Sequence, residues 1–303
     1  GAMENVGAVT FAEHHVFKSK ATASQHRSRA DTILHEMAHM WFGDLVTMRW
    51  WDGLWLNESF ATFAAARALE KIPLPAGLPR ENARGLHGDK QWAYFEDASS
   101  NTHPIEMASP DTEASENAFD GITYAKGAAA IKQLVAWLGD ENFTEGLRRY
   151  FALHAFRSAT SSHFLKALEE ASSTPLGDWR NQWLKTAGAN RVEAKWSCDP
   201  STRKITLFDL VQTQAPQSTV LRQHQTRIGL GYGHSFKAPK DVELAVKYSG
   251  EKTSLTTLIG LSCPDFVFPN EGDEDYVQVI LDPTSRTYLK SHISQIQSPL
   301  IRE

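Results

Sequence analysis

A chain of 303 residues has room for one large domain or two ordinary ones, and its 41% hydrophobic and 22% charged residues are the composition of a folded globular protein. The net charge of −5 argues against nucleic acid as a partner, because neutralising a phosphate backbone needs a basic face. No apolar run approaches the roughly 20 residues that span a bilayer and no secretory apolar region opens the chain, so no membrane partner is expected and the cytoplasm is the default location.

Residues 6–11 are short and β-prone and read as a first strand. A polar, basic stretch over 18–29 leads into a helical run over 30–42, with Gly43 placed as a C-terminal stop. Trp41, Trp50, Trp51 and Trp55 crowd the next segment and are expected to pack in a core. Residues 57–72 read as a second, Ala-rich helix ended by Pro73 and Pro75. Residues 73–117 look like a long loop around a site, or hold short helices without clear periodicity. Residues 117–188 have a helical pattern throughout. Ile131, Leu134, Val135 and Leu138 make one apolar stripe, Gly139-Asp140 break it, and Phe143, Leu147 and Phe151 make the next. Leu165 and Leu168 form a third stripe, and Trp179 and Trp183 share a last helix that ends near Gly188.

The period then changes from helical to alternating. Residues 205–207, 242–246 and 277–281 alternate apolar with polar between Gly and Pro punctuation, which predicts a small all-β sandwich over about 190–283. A short helix over 284–296 closes the chain. Cys198 and Cys263 have no metal-type spacing and are expected as two reduced thiols.

The chemistry is concentrated in His35-Glu36-Met37-Ala38-His39. Two histidines four apart on a helix project from one face, so both imidazoles can reach one ion at about 2.0–2.1 Å. Glu36 lies at the edge of that face, able to touch a water beside the ion without ligating it. Glu58, on the following helix, suits the third ligand and leaves the fourth position of a catalytic zinc open. A chance His-Glu-x-x-His arises in only about 0.01–0.05 of chains this long. Zinc at such a site acidifies water and polarises a carbonyl, with Glu36 as general base.

Three segments, Gly1-Ala2-Met3-Glu4-Asn5, the His35–His39 motif with Glu58, and Phe119-Asp120-Gly121-Ile122-Thr123-Tyr124-Ala125-Lys126-Gly127, together resemble the bacterial aminopeptidase N family of zinc metallopeptidases. The resemblance implies an α+β fold: a mainly helical, thermolysin-like catalytic domain over 1–190, then a β-sandwich with a short helical tail over 191–303. It implies one Zn2+ on His35, His39 and Glu58, with Glu36 and Tyr124 catalytic, Tyr124 donating its hydroxyl to the oxyanion. Glu4 is implied to bind the substrate's α-ammonium, with Gly1, Ala2 and Met3 lining the peptide as an edge strand. The implied activity is removal of N-terminal residues from peptides that carry a free N-terminus. The ammonium anchor separates this from endopeptidase action, because an internal peptide would leave that carboxylate unpaired.

Asn57 either orients Glu58 or starts its helix. His103, in Thr102-His103-Pro104-Ile105, reads as a surface loop histidine, and the pair His14-His15 reads as solvated. The sequence departs from the family pattern in three places. Many relatives carry an acidic residue seven places after the glutamate ligand, where this chain has Ala65, so either a lower metal affinity or substitution by another carboxylate such as Asp44 or Asp52 is expected. The family's β-rich N-terminal domain and long C-terminal helical domain have no counterpart here, so the chain is expected to be an excised or processed piece, its missing domains supplied by another chain. A frayed Glu4 strand near Gly1 and exposed apolar patches are expected from that. Two rival readings follow: a catalytically silent assembly or binding module, and a zinc endopeptidase or epoxide hydrolase relative.

Overall fold

The computed structural model describes residues 1–72, 86–237 and 244–302. The chain opens as an antiparallel hairpin, β1 (Ala2–Met3) and β2 (Thr10–Phe11), with Ala2 opposite Phe11. The single strand expected over 6–11 is therefore half of a hairpin, turned through Gly7 at φ +74°. The first helix, α1 (Ala23–His39), begins seven residues before the expected start. Thr22 and Gln25 form a capping box there, which satisfies the orphan amides of a polar first turn that no apolar stripe announces. It also ends earlier, at His39.

β3 (Val46–Met48) precedes α2 (Leu54–Lys71), which buries Trp55, Leu56, Phe60, Phe63 and Leu69 and packs on α1. Pro73 and Pro75, and with them 73–85 of the expected loop, lie outside the described residues. The rest of that loop contains α3 (His87–Asp97) and α4 (Thr112–Glu116), the latter capped by the Asp111 carboxylate accepting from the Ala114 amide at 2.8 Å. Residues 117–188 are not helical throughout. A π-helical turn, Ile122–Lys126, runs into α5 (Gly127–Leu138), and α6 (Asp140–His154) is followed by a strand, β4 (Arg157–Ala159), paired parallel with β3. That pairing joins segments over 100 residues apart, so no local periodicity foretells it. α7 (Ser161–Ser172) and α8 (Gly177–Trp183) complete the helical part. Its core holds Phe42, Phe60, Tyr150, Phe164, Trp179 and Trp183.

Of the four tryptophans expected in the core, only Trp55 is buried. Trp41, Trp50 and Trp51 are 41–51% exposed, because they sit on the turn after α1 and the loop before α2 rather than on a packed face.

From residue 190 the chain is strand-rich. β5 (Asn190–Asp199) and β6 (Lys204–Gln214) form a long antiparallel pair. β7 (His224–Arg227), β8 (Gly229–Tyr232), β9 (Ser235–Phe236), β10 (Ala245–Tyr248), β11 (Lys252–Ser254), β12 (Phe266–Phe268) and β13 (Val277–Ile280) follow. They form sheets of order β11-β6-β5-β13, β12-β8-β9 and β10-β7. Val192, Phe208, Ile228, Leu230, Tyr248, Val267 and Val277 bring side chains from all three sheets into one cluster. Val242 and Glu243 of the expected 242–246 strand lie outside the described residues; Ala245 and Val246 begin β10, which runs on to Tyr248. α9 (Pro283–His292), capped by Asp282 at the Thr284 and Ser285 amides, and α10 (Pro299–Arg302) close the fold. The chain thus mixes helix and strand in separate stretches, as an α+β fold does. Among the described residues no helix is long and apolar enough to cross a membrane.

The cysteines are not reduced thiols: Cys198 and Cys263 form a disulfide. The β5–β6 register shifts between Ser197 and Cys198, with Thr206 the extra residue on β6, the Cys263 amide donates to the Arg203 carbonyl at 2.9 Å, and the two Cα atoms lie 6.1 Å apart. The expectation of a cytoplasmic location loses the support reduced thiols would have lent it.

Candidate metal centre

α1 and α2 lie side by side, and their facing surfaces carry the expected ligands. His35 Nε2 is 3.0 Å from His39 Nε2 and 3.2 Å from Glu58 Oε2, and His39 Nε2 is 3.4 Å from Glu58 Oε2. An ion at 2.0–2.1 Å from tetrahedral donors needs them roughly 3.3 Å apart, so this triangle has the size of a zinc site. The tautomers agree. His39 Nδ1 donates to the Phe42 carbonyl at 2.9 Å, an oxygen that can only accept, with Asn57 Oδ1 at 3.1 Å. The Nε2 lone pair therefore points into the triangle. His35 Nδ1 meets Thr62 Oγ1 at 3.4 Å, which leaves its Nε2 for the same point.

The charges also call for a cation. Burial works against ionising Glu58, but hydrogen bonds from His35 and His39 outweigh it and hold the carboxyl at about 2. Burial likewise opposes charge on His39, yet Glu58 and Glu4 lift it to about 9. A buried carboxylate between two imidazoles is balanced by a proton or by a metal ion, and only a metal ion satisfies both inward lone pairs.

The orienting groups were only partly anticipated. Ala65 is buried, and neither Asp44 nor Asp52 hydrogen-bonds a ligand histidine among the described residues; the Phe42 carbonyl, Asn57 and Thr62 do. Asn57 thus orients His39, and its Nδ2 also donates to Glu4 Oε1 at 3.4 Å and Glu58 Oε1 at 3.5 Å. Gly43 makes this possible. Its φ of +125° is a glycine conformation, and a Cβ there would stand 2.8 Å from Asn57 Oδ1.

The triangle opens into a cavity of about 670 Å³ whose wall includes Gly1, Ala2, Met3, Glu4, Glu36 and Tyr124, so the expected ligand, catalytic and substrate-binding residues line one space. Glu36 is 5% exposed and its Oε2 has no partner; burial pushes its carboxyl up. Tyr124 reaches the cavity from the π-helical turn, its ring 6.1 Å from that of His35. Burial first, and then Glu58, Glu4 and Glu36, keep its phenol protonated. Glu4 follows β1, which among the described residues pairs only with β2 and so keeps one strand edge open. Its Oε1 is 3.8 Å from His39 Nδ1.

Two further carboxylates were missed. Asp31, one helical turn before His35, and Asp89 on α3 line the cavity, and burial raises both, Asp89 to about 6 with Asp31 adding to the rise. The i−4 spacing of Asp31 from His35 was the available signal. His103 is not a surface residue but pairs with Asp120 at 2.9 Å. Of the histidine pair expected to be solvated, His15 is buried.

The model of the peptidase family M1 domain matches residues 1–215. Across its whole length the chain is 42% identical to an aminopeptidase N of Streptomyces lividans, of which it spans 36%. It is 40% identical to a probable aminopeptidase 2 of Sulfurisphaera tokodaii over 62% of the chain and 24% of that protein. A leucyl aminopeptidase of Saccharolobus solfataricus is 35% identical over 65% of the chain and 25% of that protein. The chain therefore spans between a quarter and about a third of the length of these relatives.

Proposed function

The chain belongs to the M1 peptidase family, and from that premise we propose that His35, His39 and Glu58 hold one zinc ion and that the site removes single residues from the free N-terminus of peptides. The observation that carries this is the triangle of ligand atoms, 3.0–3.4 Å on each edge, in one cavity with Glu4, Glu36 and Tyr124. A zinc ion held there supplies Lewis acidity toward the scissile carbonyl and toward water. Glu36, buried and unpartnered, takes the proton of the attacking water and returns it to the leaving amine. Tyr124, held protonated, donates to the oxygen on which charge develops. Glu4, steadied by Asn57, pairs with the substrate ammonium, and the open edge of β1 aligns the peptide.

Residues 1–190 are the catalytic domain in this reading, and 191–303 a sandwich domain with its helical tail. Exposed Trp41, Phe95 and Phe156, at 51%, 74% and 89%, support a further protein segment covering part of the surface.

The test is hydrolysis of aminoacyl chromogenic amides by the chain, with and without chelator, beside Glu36→Ala. Turnover of free-amine substrates that chelator and Glu36→Ala both abolish supports the proposal. Turnover that resists chelation sinks the mechanism. Activity confined to N-blocked substrates selects an endopeptidase, and zinc bound without turnover selects a silent module.

A further inference from the structure

We propose that His103 and Asp120 are positioning residues: together they hold the π-helical turn Ile122–Lys126 so that the Tyr124 hydroxyl stays on the wall of the metal cavity. The inference rests on the role given to Tyr124 above.

The turn is an uncommon structure, and five-residue π-helical turns persist where neighbours over-determine them. Its opening amides all end on one residue. Asp120 Oδ1 accepts from the Ile122 amide at 2.9 Å and the Thr123 amide at 3.0 Å, and the Asp120 carbonyl accepts from the Tyr124 amide at 3.1 Å. The Ile122 and Thr123 amides are groups that a helical start leaves without backbone partners.

The other carboxylate oxygen, Oδ2, accepts from His103 Nε2 at 2.9 Å, and His103 Nδ1 donates to the Pro104 carbonyl at 2.7 Å. Both partners of the ring are acceptors, so both nitrogens carry protons, and the imidazolium in turn holds the Asp120 carboxyl below its ordinary value. The segment carrying His103 is itself anchored, since Ile105 is buried in the helical core.

Ser59 Oγ donates to the Thr123 carbonyl at 2.6 Å, and Lys126 Nζ lies 2.8 Å from Asp97. The turn is thus pinned at its far end by α3 and touched at the Thr123 carbonyl by α2. Its opening amides are held by Asp120, and what keeps the Asp120 carboxylate from rotating away is His103. Without His103, Oδ2 is half-buried and unpaired, and the Ile122 and Thr123 amides lose their fixed acceptor, which frees the Asp120 end of the turn to fray.

Amide hydrogen exchange and steady-state kinetics on the zinc-loaded chain test this together. In His103→Ala the amides of Ile122, Thr123 and Tyr124 should exchange roughly 10-fold faster while those of α1 and α2 are unchanged. With an aminoacyl amide, kcat should fall about 10–100-fold with KM and zinc content within about twofold. His103→Gln, which still donates to Asp120, should recover part of both effects and serves if the alanine variant does not fold. In a Tyr124→Phe background the same substitution should cost no further activity. Unchanged exchange at 122–124 overturns the inference, and so does an equal activity loss with and without the Tyr124 hydroxyl. If the unsubstituted chain turns over no substrate, it is the functional proposal that fails, and the exchange data decide this inference by themselves.

Discussion

Asn57 shows how much one side chain can carry at the residue scale. Its Oδ1 faces His39 Nδ1, its Nδ2 reaches both Glu4 and Glu58, and it fits only because Gly43 has no side chain. Asn57→Ala should weaken zinc binding about 10-fold, the low end for such orienting partners, since the Phe42 carbonyl still holds His39. KM for free-amine substrates should rise as well, because Glu4 loses its donor. Chelator competition and steady-state kinetics read the two effects, and unchanged zinc affinity would show that Phe42 alone sets the imidazole. At this scale the sequence was legible where chemistry is local. His35, Glu36 and His39 share a helix face through a spacing of four, and Glu58 stands one short segment away. Asn57 was visible as a neighbour of Glu58, but its link to Glu4 spans 53 residues and has no local sign. Thr62 and the His103–Asp120 pair were hidden for the same reason.

Between elements, α2 comes very close to the start of α5. A Cβ on Gly127 would lie 1.8 Å from Ser59 Oγ and 2.9 Å from Ser59 Cβ, so the turn bearing Tyr124 sits against α2 with no room for a methyl group. Gly127→Ala should destabilise the fold by about 1–3 kcal/mol through overpacking. Pairing it with Ser59→Gly should recover most of the lost Tm, and a double variant no more stable than Gly127→Ala would place the cost in the backbone instead. Element type was readable where apolar stripes are long, as in α2, α5 and α7. It was not readable in the first seven residues of α1, which are mostly polar and held by a capping box, nor in β4, which exists only because β3 lies beside it.

Across the whole molecule, helices and strands meet on a buried polar seam. Lys90 on α3 donates to Asp273 Oδ1 and to the Asp273 and Asp275 carbonyls at 2.7–2.9 Å. Asp275 accepts from His224, Tyr248 and Gln133. Burial opposes ionising Asp273, but Lys90, His87 and Lys132 outweigh it and hold the carboxyl far below 3.8, its ordinary value. A depressed carboxyl stabilises the fold fully above its unfolded value and loses that contribution only as pH falls below it. Asp273→Asn should therefore cost about 3–5 kcal/mol at neutral pH, by leaving the buried Lys90 ammonium without the carboxylate it is paired with, and the difference from the unsubstituted chain should shrink below about pH 4. Because the seam spans both parts, tryptophan fluorescence and far-ultraviolet circular dichroism should report one coincident unfolding transition. Two separated transitions would show that the seam does not couple them.

The sequence by itself determined the metal-ligand spacing, the order of helical and strand-rich stretches and the motifs that mark the family, because each depends on residues a few positions apart or on a regular period. Only the tertiary structure decided that Glu4, Glu36, Tyr124 and the ligand triangle line one cavity, that Cys198 meets Cys263, and that Asp120 rather than the helix itself satisfies the turn beneath Tyr124. These are contacts between distant segments, and a one-dimensional pattern does not record which buried groups find each other once the core closes.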